Sequence, residues 1–299
     1  MILGLLAGAG LLLALTYGAA ALYVAELITR SPRRRVEGTP GDLGLRYQEV
    51  QFRCRDDVLL RGWFIDSPGA RATVVLIHDG GGTRAAADQG LLRLQGDYVR
   101  RGYRVFAFDL RGRGESSGKR GHLGSAEQRD LSAAVAFVRR QVGSSPLVLH
   151  GFGLGGALAI VAIADGISAD AVIADSPCAS YREQLYHRWP GVPRRLLHDA
   201  CWLARRLLDA DVDALSPQEA ISRAASTPIL LIHGEADDEV PVEHTLNIAA
   251  ATLHHRHEWW TVPGVGHCGA YLDDPDLYLH RCLSLIEQAT PARVMAAAG

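Results

Sequence analysis

The chain has no surplus of either charge. Its 31 Lys+Arg stand against 33 Asp+Glu, a formal net charge of −2. A nucleic-acid binder normally carries a basic excess, so that class is set aside. The sequence also lacks any CxxC pair. Its five cysteines (Cys54, Cys178, Cys201, Cys268 and Cys282) are odd in number and irregularly spaced. Neither a disulfide framework nor a zinc knuckle is indicated, no metal or other cofactor is expected, and a reducing compartment is the simpler expectation. A disordered composition is excluded as well, because 48% of residues are hydrophobic and only 21% charged. The 299 residues contain enough apolar material for one or two domains with a large core.

Charge is missing altogether between Ile2 and Ala25. An uncharged stretch of that length can cross ~30 Å of hydrocarbon as a helix. Glu26 interrupts it, and Arg30, Arg33, Arg34 and Arg35 follow. Ala19-Ala20-Ala21 offers small residues for signal cleavage. Against a signal, no Lys or Arg precedes the run and it exceeds a usual signal core, which favours an uncleaved anchor. The arginines on its C-terminal side then place residues 36–299 in the cytoplasm. Gly4 and Gly8 form a small-xxx-small pair, a weak signal in so Ala/Gly-rich a stretch. The expected organisation is a single-pass transmembrane anchor over 1–29, a basic linker over 30–45, a folded domain over 46–290 and a tail over 291–299.

The folded part alternates strands and helices. Tyr47–Cys54 and Val58–Ile65 read as an antiparallel entry with Asp56-Asp57 at the turn. Buried strands are expected at Thr73–Ile77, Arg104–Phe108, Pro146–Leu149, Ala171–Ala174, Pro228–Ile232 and Trp259–Val262. Helical patterns lie between and after them, at about 86–101, 125–142, 154–165, 243–253 and 275–289. This order predicts an α/β fold, a mostly parallel central sheet with helices on both faces. In such sheets chemistry sits at the carboxyl ends of the strands.

Those ends are informative. His78-Asp79-Gly80-Gly81-Gly82 follows the first parallel strand, and Asp109-Leu110-Arg111-Gly112-Arg113-Gly114-Glu115-Ser116 the second. His150-Gly151-Phe152-Gly153-Leu154-Gly155-Gly156 follows the third, and Asp175-Ser176-Pro177 the fourth. His233-Gly234-Glu235-Ala236-Asp237-Asp238-Glu239-Val240-Pro241 and Pro263-Gly264-Val265-Gly266-His267 close the series. In this order the signatures resemble the α/β-hydrolase superfamily over nearly all of residues 45–290. Within it, the chain looks most like the membrane-anchored esterase, lipase and serine-aminopeptidase-like branch with a short helical cap, here about 178–226. The resemblance implies Asp237 as the acid, His267 as the base, and oxyanion-hole N–H groups near Gly80 and Gly81 and at Leu154.

The nucleophile departs from that pattern. The family's elbow is G-x-S-x-G, and here it reads Gly151-Phe152-Gly153-Leu154-Gly155. Gly153 has no side chain to form an acyl-enzyme, so the Ser-His-Asp route is closed as written. Glycine tolerates the strained turn better than serine, as expected in a degenerate member. Cys268 adjoins His267 but, as a sequence neighbour, is expected to be a small apolar loop residue. Ser176 and Cys178 could line the pocket, Ser176 being more simply a turn residue, while Ser116 and Ser117 lie in a loop. A water in the space left at 153, activated by His267 and Asp237, would bypass the covalent step. Asp79 weighs against that route unless its side chain points away, because a carboxylate near the oxyanion hole opposes developing negative charge. Gly151-x-Gly153-x-x-Gly156 also fits a dinucleotide motif, with Asp175 as the ribose-binding acid. Replacing the elbow serine by glycine creates that pattern automatically.

Within the cap, Leu196, Leu197, Ala200, Cys201, Leu203, Ala204, Leu207 and Leu208 form an apolar stripe flanked by Arg194, Arg195, Arg205 and Arg206. A helix packed on the core with a solvated basic face is expected, the alternative being a lid on anionic lipid headgroups. His254, His255 and His257 straddle a helix-to-strand junction and do not read as a metal face. Asp109, Arg111, Gly112 and Gly114 are expected to build a rigid loop, and Glu127 and Asp130 to complement a helix dipole. The functional expectation is a hydrolase-fold protein of ester or peptide hydrolase ancestry that has lost serine chemistry and binds a small-molecule or lipid-like ligand. A water-using hydrolase and a dinucleotide binder are the alternatives. The sequence sets neither the substrate nor the oligomeric state.

Overall fold

The computed structural model of the chain describes residues 2–30, 33–224, 227–252 and 256–290. The 291–299 tail therefore lies outside the described residues, as do His254 and His255. The strands are β1 (Gln48–Arg53), β2 (Leu59–Ile65), β3 (Thr73–Ile77), β4 (Arg104–Phe108), β5 (Leu147–Phe152), β6 (Ala171–Asp175), β7 (Ile229–Gly234) and β8 (His257–Val262). They form one sheet in the order β1-β2-β4-β3-β5-β6-β7-β8, with β2 antiparallel to both β1 and β4 and the remaining pairs parallel. The Asp56-Asp57 turn joins the antiparallel pair, and Asp57 takes a left-handed φ of 67°.

The helices are α1 (Ile2–Thr29), α2 (Leu91–Arg100), α3 (Glu127–Val142), α4 (Leu154–Ala164), α5 (Tyr181–Arg188), α6 (Arg194–Leu207), α7 (Pro217–Ala220), α8 (Glu243–Ala250), α9 (Ala270–Asp273) and α10 (Pro275–Ala289). Side chains alternate across the pleat. Val75 and Ile77 pack with Leu131 and Val138 of α3, Leu158 of α4 and Ile248 of α8 on one face. Val74 and Leu76 pack with Leu94 of α2 and Leu279 and Ile286 of α10 on the other. Strands buried on both sides need continuous apolar runs, which is why TVVLI reads so clearly in the sequence. Asp274 caps α10 by accepting from the Leu277 N–H, and Pro275 takes the first helical position, where its missing N–H costs nothing.

Two expectations change here. The apolar stripe of the cap does not pack on the main core. α6 packs against α1, and Val24 and Ala25 share a separate cluster with Leu197, Ala200, Cys201 and Ala204. Glu127 and Asp130 do more than complement a helix dipole. Glu127 accepts from the His122 and Gly124 N–H groups, and buried Asp130 accepts from the Arg111 backbone N–H and its guanidinium. Asp56 takes the other side of the same guanidinium, at 2.8 Å. These pairs give the Asp109–Ser116 loop the rigidity expected of it. The Asp109 carboxylate adds bonds from the backbone N–H groups of Arg84 and Glu115 and from the Arg84 side chain.

Removing one partner of a buried ion pair strands the other. Asp130→Ala is expected to destabilise the domain by about 3 kcal/mol in chemical denaturation. A loss within experimental error would show that Asp56 alone satisfies Arg111.

Candidate active site

The segments after β3, β5, β7 and β8 converge on one site. Gly153 sits between β5 and α4 with φ 50° and ψ −114°, a strained conformation that favours glycine. Its N–H donates to the Asp175 carbonyl at 2.8 Å, tying the elbow to β6. Neighbouring glycines permit close backbone approach. A Cβ on Gly155 would strike the Ile77 carbonyl, and one on Gly151 would strike the backbone of Gly155 and Gly156. The run that fits a dinucleotide motif is thus consumed by strand–helix packing. Asp175, its supposed ribose ligand, is fully buried and accepts from Tyr278 Oη and Ser176 Oγ, each at 3.0 Å.

Asp237 and His267, the expected acid and base, lie together. His267 Nδ1 donates to Asp237 Oδ2 at 2.7 Å. Asp237 Oδ1 accepts from the N–H groups of Glu239 and Val240 at 3.0 and 2.8 Å. His233 sits behind them, its Nε2 donating to the Val240 carbonyl at 2.7 Å and its Nδ1 paired with Thr245 Oγ1. Burial alone would raise the Asp237 carboxyl, but the hydrogen bonds from His233, His267 and Val240 hold it far below the usual carboxylate range.

Asp79 does not point away. Its Oδ1 accepts the Leu154 N–H at 2.8 Å, and its Oδ2 accepts the Gly81 N–H at 3.3 Å. The Gly80 N–H adds to the same cradle. The donors expected to hold a substrate oxyanion thus hold a carboxylate of the chain itself. Its position also explains the elbow glycine, since a Cβ on residue 153 would overlap Asp79 Oδ1 and lie 2.6 Å from its Cγ. Burial opposes ionisation of Asp79, yet the charge of His267 and the N–H groups of Leu154, Gly80 and Gly81 hold its pKa below the ordinary value.

Cys268 is the second departure. With φ 52°, it brings Sγ to 3.4 Å from His267 Nε2, although adjacency in sequence argues against such a contact. The thiol is fully buried, and burial pushes it up to about 12, so it is neutral at neutral pH. Ser176, also at positive φ, is more than a turn residue, because its Oγ accepts the Cys268 N–H at 3.0 Å. Burial disfavours a His267 cation, but the interactions with Cys268, Asp237 and Asp79 outweigh it and raise its pKa well above the ordinary histidine value. The carboxylates of Asp237 and Asp79 both favour the protonated form of the imidazole.

Sequence reasoning missed a buried polar chain behind the elbow. Tyr98 Oη bonds His150 Nδ1 at 3.0 Å, His150 Nε2 bonds Tyr278 Oη at 2.9 Å, and Tyr278 donates to Asp175 Oδ2. The only hint was a histidine and an aspartate at the ends of adjacent strands. Nothing local in the sequence pointed to the tyrosines of α2 and α10.

Known proteins fit this architecture. The serine aminopeptidase (S33) family matches residues 68–207. The uncharacterized protein YfhR of Escherichia coli O157:H7 is 32% identical over 205 residues, 66% of this chain and 66% of its own length. The lysophosphatidylserine lipase ABHD12 of Danio rerio is 27% identical, over 60% of this chain and 47% of its own. An esterase of Pyrococcus furiosus superposes with a TM-score of 0.72 and 23% identity, covering 88% of this chain and 98% of that one. The chain belongs to the α/β-hydrolase superfamily, with esterase and peptidase ancestry.

The raised His267 pKa sets a sign. The pairing stabilises the fold fully below about pH 6.5 and is lost as pH rises through the elevated folded value. Asp237 acts oppositely, its contribution present above about pH 3.9 and lost as pH falls through its depressed value. NMR is expected to find His267 protonated at pH 8, with Asp79→Asn moving its titration down towards the ordinary value. A neutral imidazole in the unaltered chain at pH 7 would contradict the assignment.

Proposed function

We propose that this chain is a membrane-anchored hydrolase-fold protein whose serine route is disarmed, and that it binds a small-molecule or lipid-like ligand in the inherited pocket. One observation carries the reading. The Asp79 carboxylate fills the space of a side chain at residue 153 and takes the oxyanion donor Leu154 N–H. A substrate carbonyl finds neither a nucleophile nor a free hole, and the imidazole that would deprotonate an attacking group is favoured in its protonated form.

The anchor reading draws support from α1 itself, which is long and apolar enough to cross a membrane. Its Ala21, Val24, Ala25 and Thr29 are buried, Tyr17 Oη donates to Asp199 at 2.6 Å, and the Thr29 carbonyl accepts the Gly121 N–H. Cleavage near Ala20 or Ala25 would strip the cap of packing, which favours a retained anchor over a signal. The arginines after α1 favour residues 36–299 on the cytoplasmic side. The protein is expected to stay in the membrane pellet after carbonate extraction. A soluble form starting near Ala20 or Ala25 would overturn the anchor.

The disarmed site makes a sharper test. Gly153→Ser alone places its side chain in the Asp79 carboxylate, so it is expected to remain inert to a fluorophosphonate and to short-chain esters. Asp79→Gly/Gly153→Ser empties the hole and supplies the hydroxyl. It is expected to label and to exceed wild-type ester hydrolysis by about 10²-fold or more, with loss on adding His267→Ala. Fluorophosphonate labelling of the unaltered protein would sink the reading.

The oriented Asp237–His267 pair favours one second reading, hydrolysis through an activated water. It requires wild-type ester hydrolysis that rises above neutral pH as His267 loses its proton and disappears in His267→Ala.

A further inference from the structure

Three arginines are buried among the described residues, and two of them have carboxylate partners. Arg84 and Arg111, each 3% exposed, meet two carboxylates apiece, Asp109 with Glu115 and Asp56 with Asp130. Arg113, 7% exposed, forms no ion pair among the described residues. Its Nε donates to the Gly80 carbonyl, a neutral acceptor, and its Nη1 is buried with no hydrogen-bond partner. A buried charge is costly unless it is paired. Burial accordingly holds the Arg113 pKa below the ordinary arginine value, and Glu127, Tyr181 and Asp79 oppose that shift without cancelling it.

This unpaired guanidinium sits beside the disarmed site. Gly80, which it grips by the carbonyl, follows Asp79 and turns its N–H to that carboxylate. Tyr181, the first residue of α5 in the cap, is within electrostatic reach of both Arg113 and Asp79. Its Oη forms no hydrogen bond among the described residues. Neither nearby carboxylate is free to complete the arginine. Glu127 is held by the His122 and Gly124 N–H groups, and Asp79 by those of Leu154 and Gly81. A ligand has access, because Asp79, Gly80 and Tyr181 are half-buried and Gly81 is exposed.

The missing partner is therefore an anion. With Nε taken by Gly80, the two Nη groups remain, and their fork matches the two oxygens of one carboxylate. A singly charged ligand suits the place better than a phosphate dianion, since the Asp79 carboxylate already supplies like charge. Leu154, whose Cδ2 lies beside Gly80, offers an apolar wall for the rest of the molecule.

We propose that Arg113 holds the carboxylate of an aliphatic monocarboxylic acid bound beside Asp79, with Tyr181 Oη as a second donor. The proposal deepens the ligand-binding reading above and rests on it. It names as ligand the class of molecule that an ester or peptide hydrolase releases.

The test uses the full chain in detergent micelles and titration calorimetry with hexanoate, hexanamide and hexyl phosphate as probes. Hexanoate is expected to bind at least about 10-fold more tightly than hexanamide, and more tightly than hexyl phosphate. Arg113→Met is expected to weaken hexanoate at least about 10-fold without weakening hexanamide. It is also expected to melt no lower than the wild type, because it removes a buried charge that lacks a partner. An arginine with a purely structural role would not give that result. Tyr181→Phe, which keeps the ring, is expected to weaken hexanoate about fivefold, and it carries the test if Arg113→Met does not fold. Hexanoate affinity unchanged in both variants, or equal to that of hexanamide, would overturn the carboxylate site and leave the ligand-binding reading standing. Tighter binding of hexyl phosphate would overturn the choice of a carboxylate. Binding of no probe would overturn the carboxylate site, and fluorophosphonate labelling of the same sample tells whether the disarmed reading falls with it.

Discussion

Two side chains cannot share one volume. A carboxylate at residue 79 and any side chain at residue 153 compete for the same few cubic ångströms, and this chain resolves the competition in favour of the carboxylate. On the proposed reading, the elbow glycine is half of an exchange. Lost alone, a serine would leave a hole, a free oxyanion cradle and a histidine still able to take a proton. With Asp79 in that hole, the cradle is satisfied internally and the protonated form of the histidine is favoured. The same N–H groups that would stabilise a transition state now stabilise a ground state.

The surroundings keep that ground state in place. Asp237 is fixed by two backbone N–H groups before it meets His267, and His233 supports the loop from behind. The elbow is tied to β6, and Asp175 at the end of that strand joins a fully buried chain through Tyr278 and His150 to Tyr98. Buried polar groups are costly unless every partner is present, so this scaffold has little freedom to rearrange. On the proposed reading, so rigid a site suits binding better than turnover.

The cap shows how one segment takes meaning from another. Seen alone, the apolar stripe of α6 calls for a core to cover it, and the sheet is the obvious choice. The covering element is instead the end of α1, which lies at the other extreme of the chain. That contact joins α1 and the cap in one structural unit.

Local pattern was enough for most of the framework. Strands buried on both faces must be apolar throughout, so TVVLI, RVFAF and AVIA located themselves, and glycine-rich or acidic segments after them marked the working end of the sheet. The Asp237–His267 pair was legible because the segments after their strands resemble the family's acid and histidine loops. What the sequence could not decide was direction. Whether Asp79 turned into the hole or away, whether Cys268 faced its neighbouring histidine, and which surface covered α6 all depend on torsions and on contacts between residues far apart in the chain. Periodicity fixes which face of an element is apolar; only the assembled structure decides what that face meets.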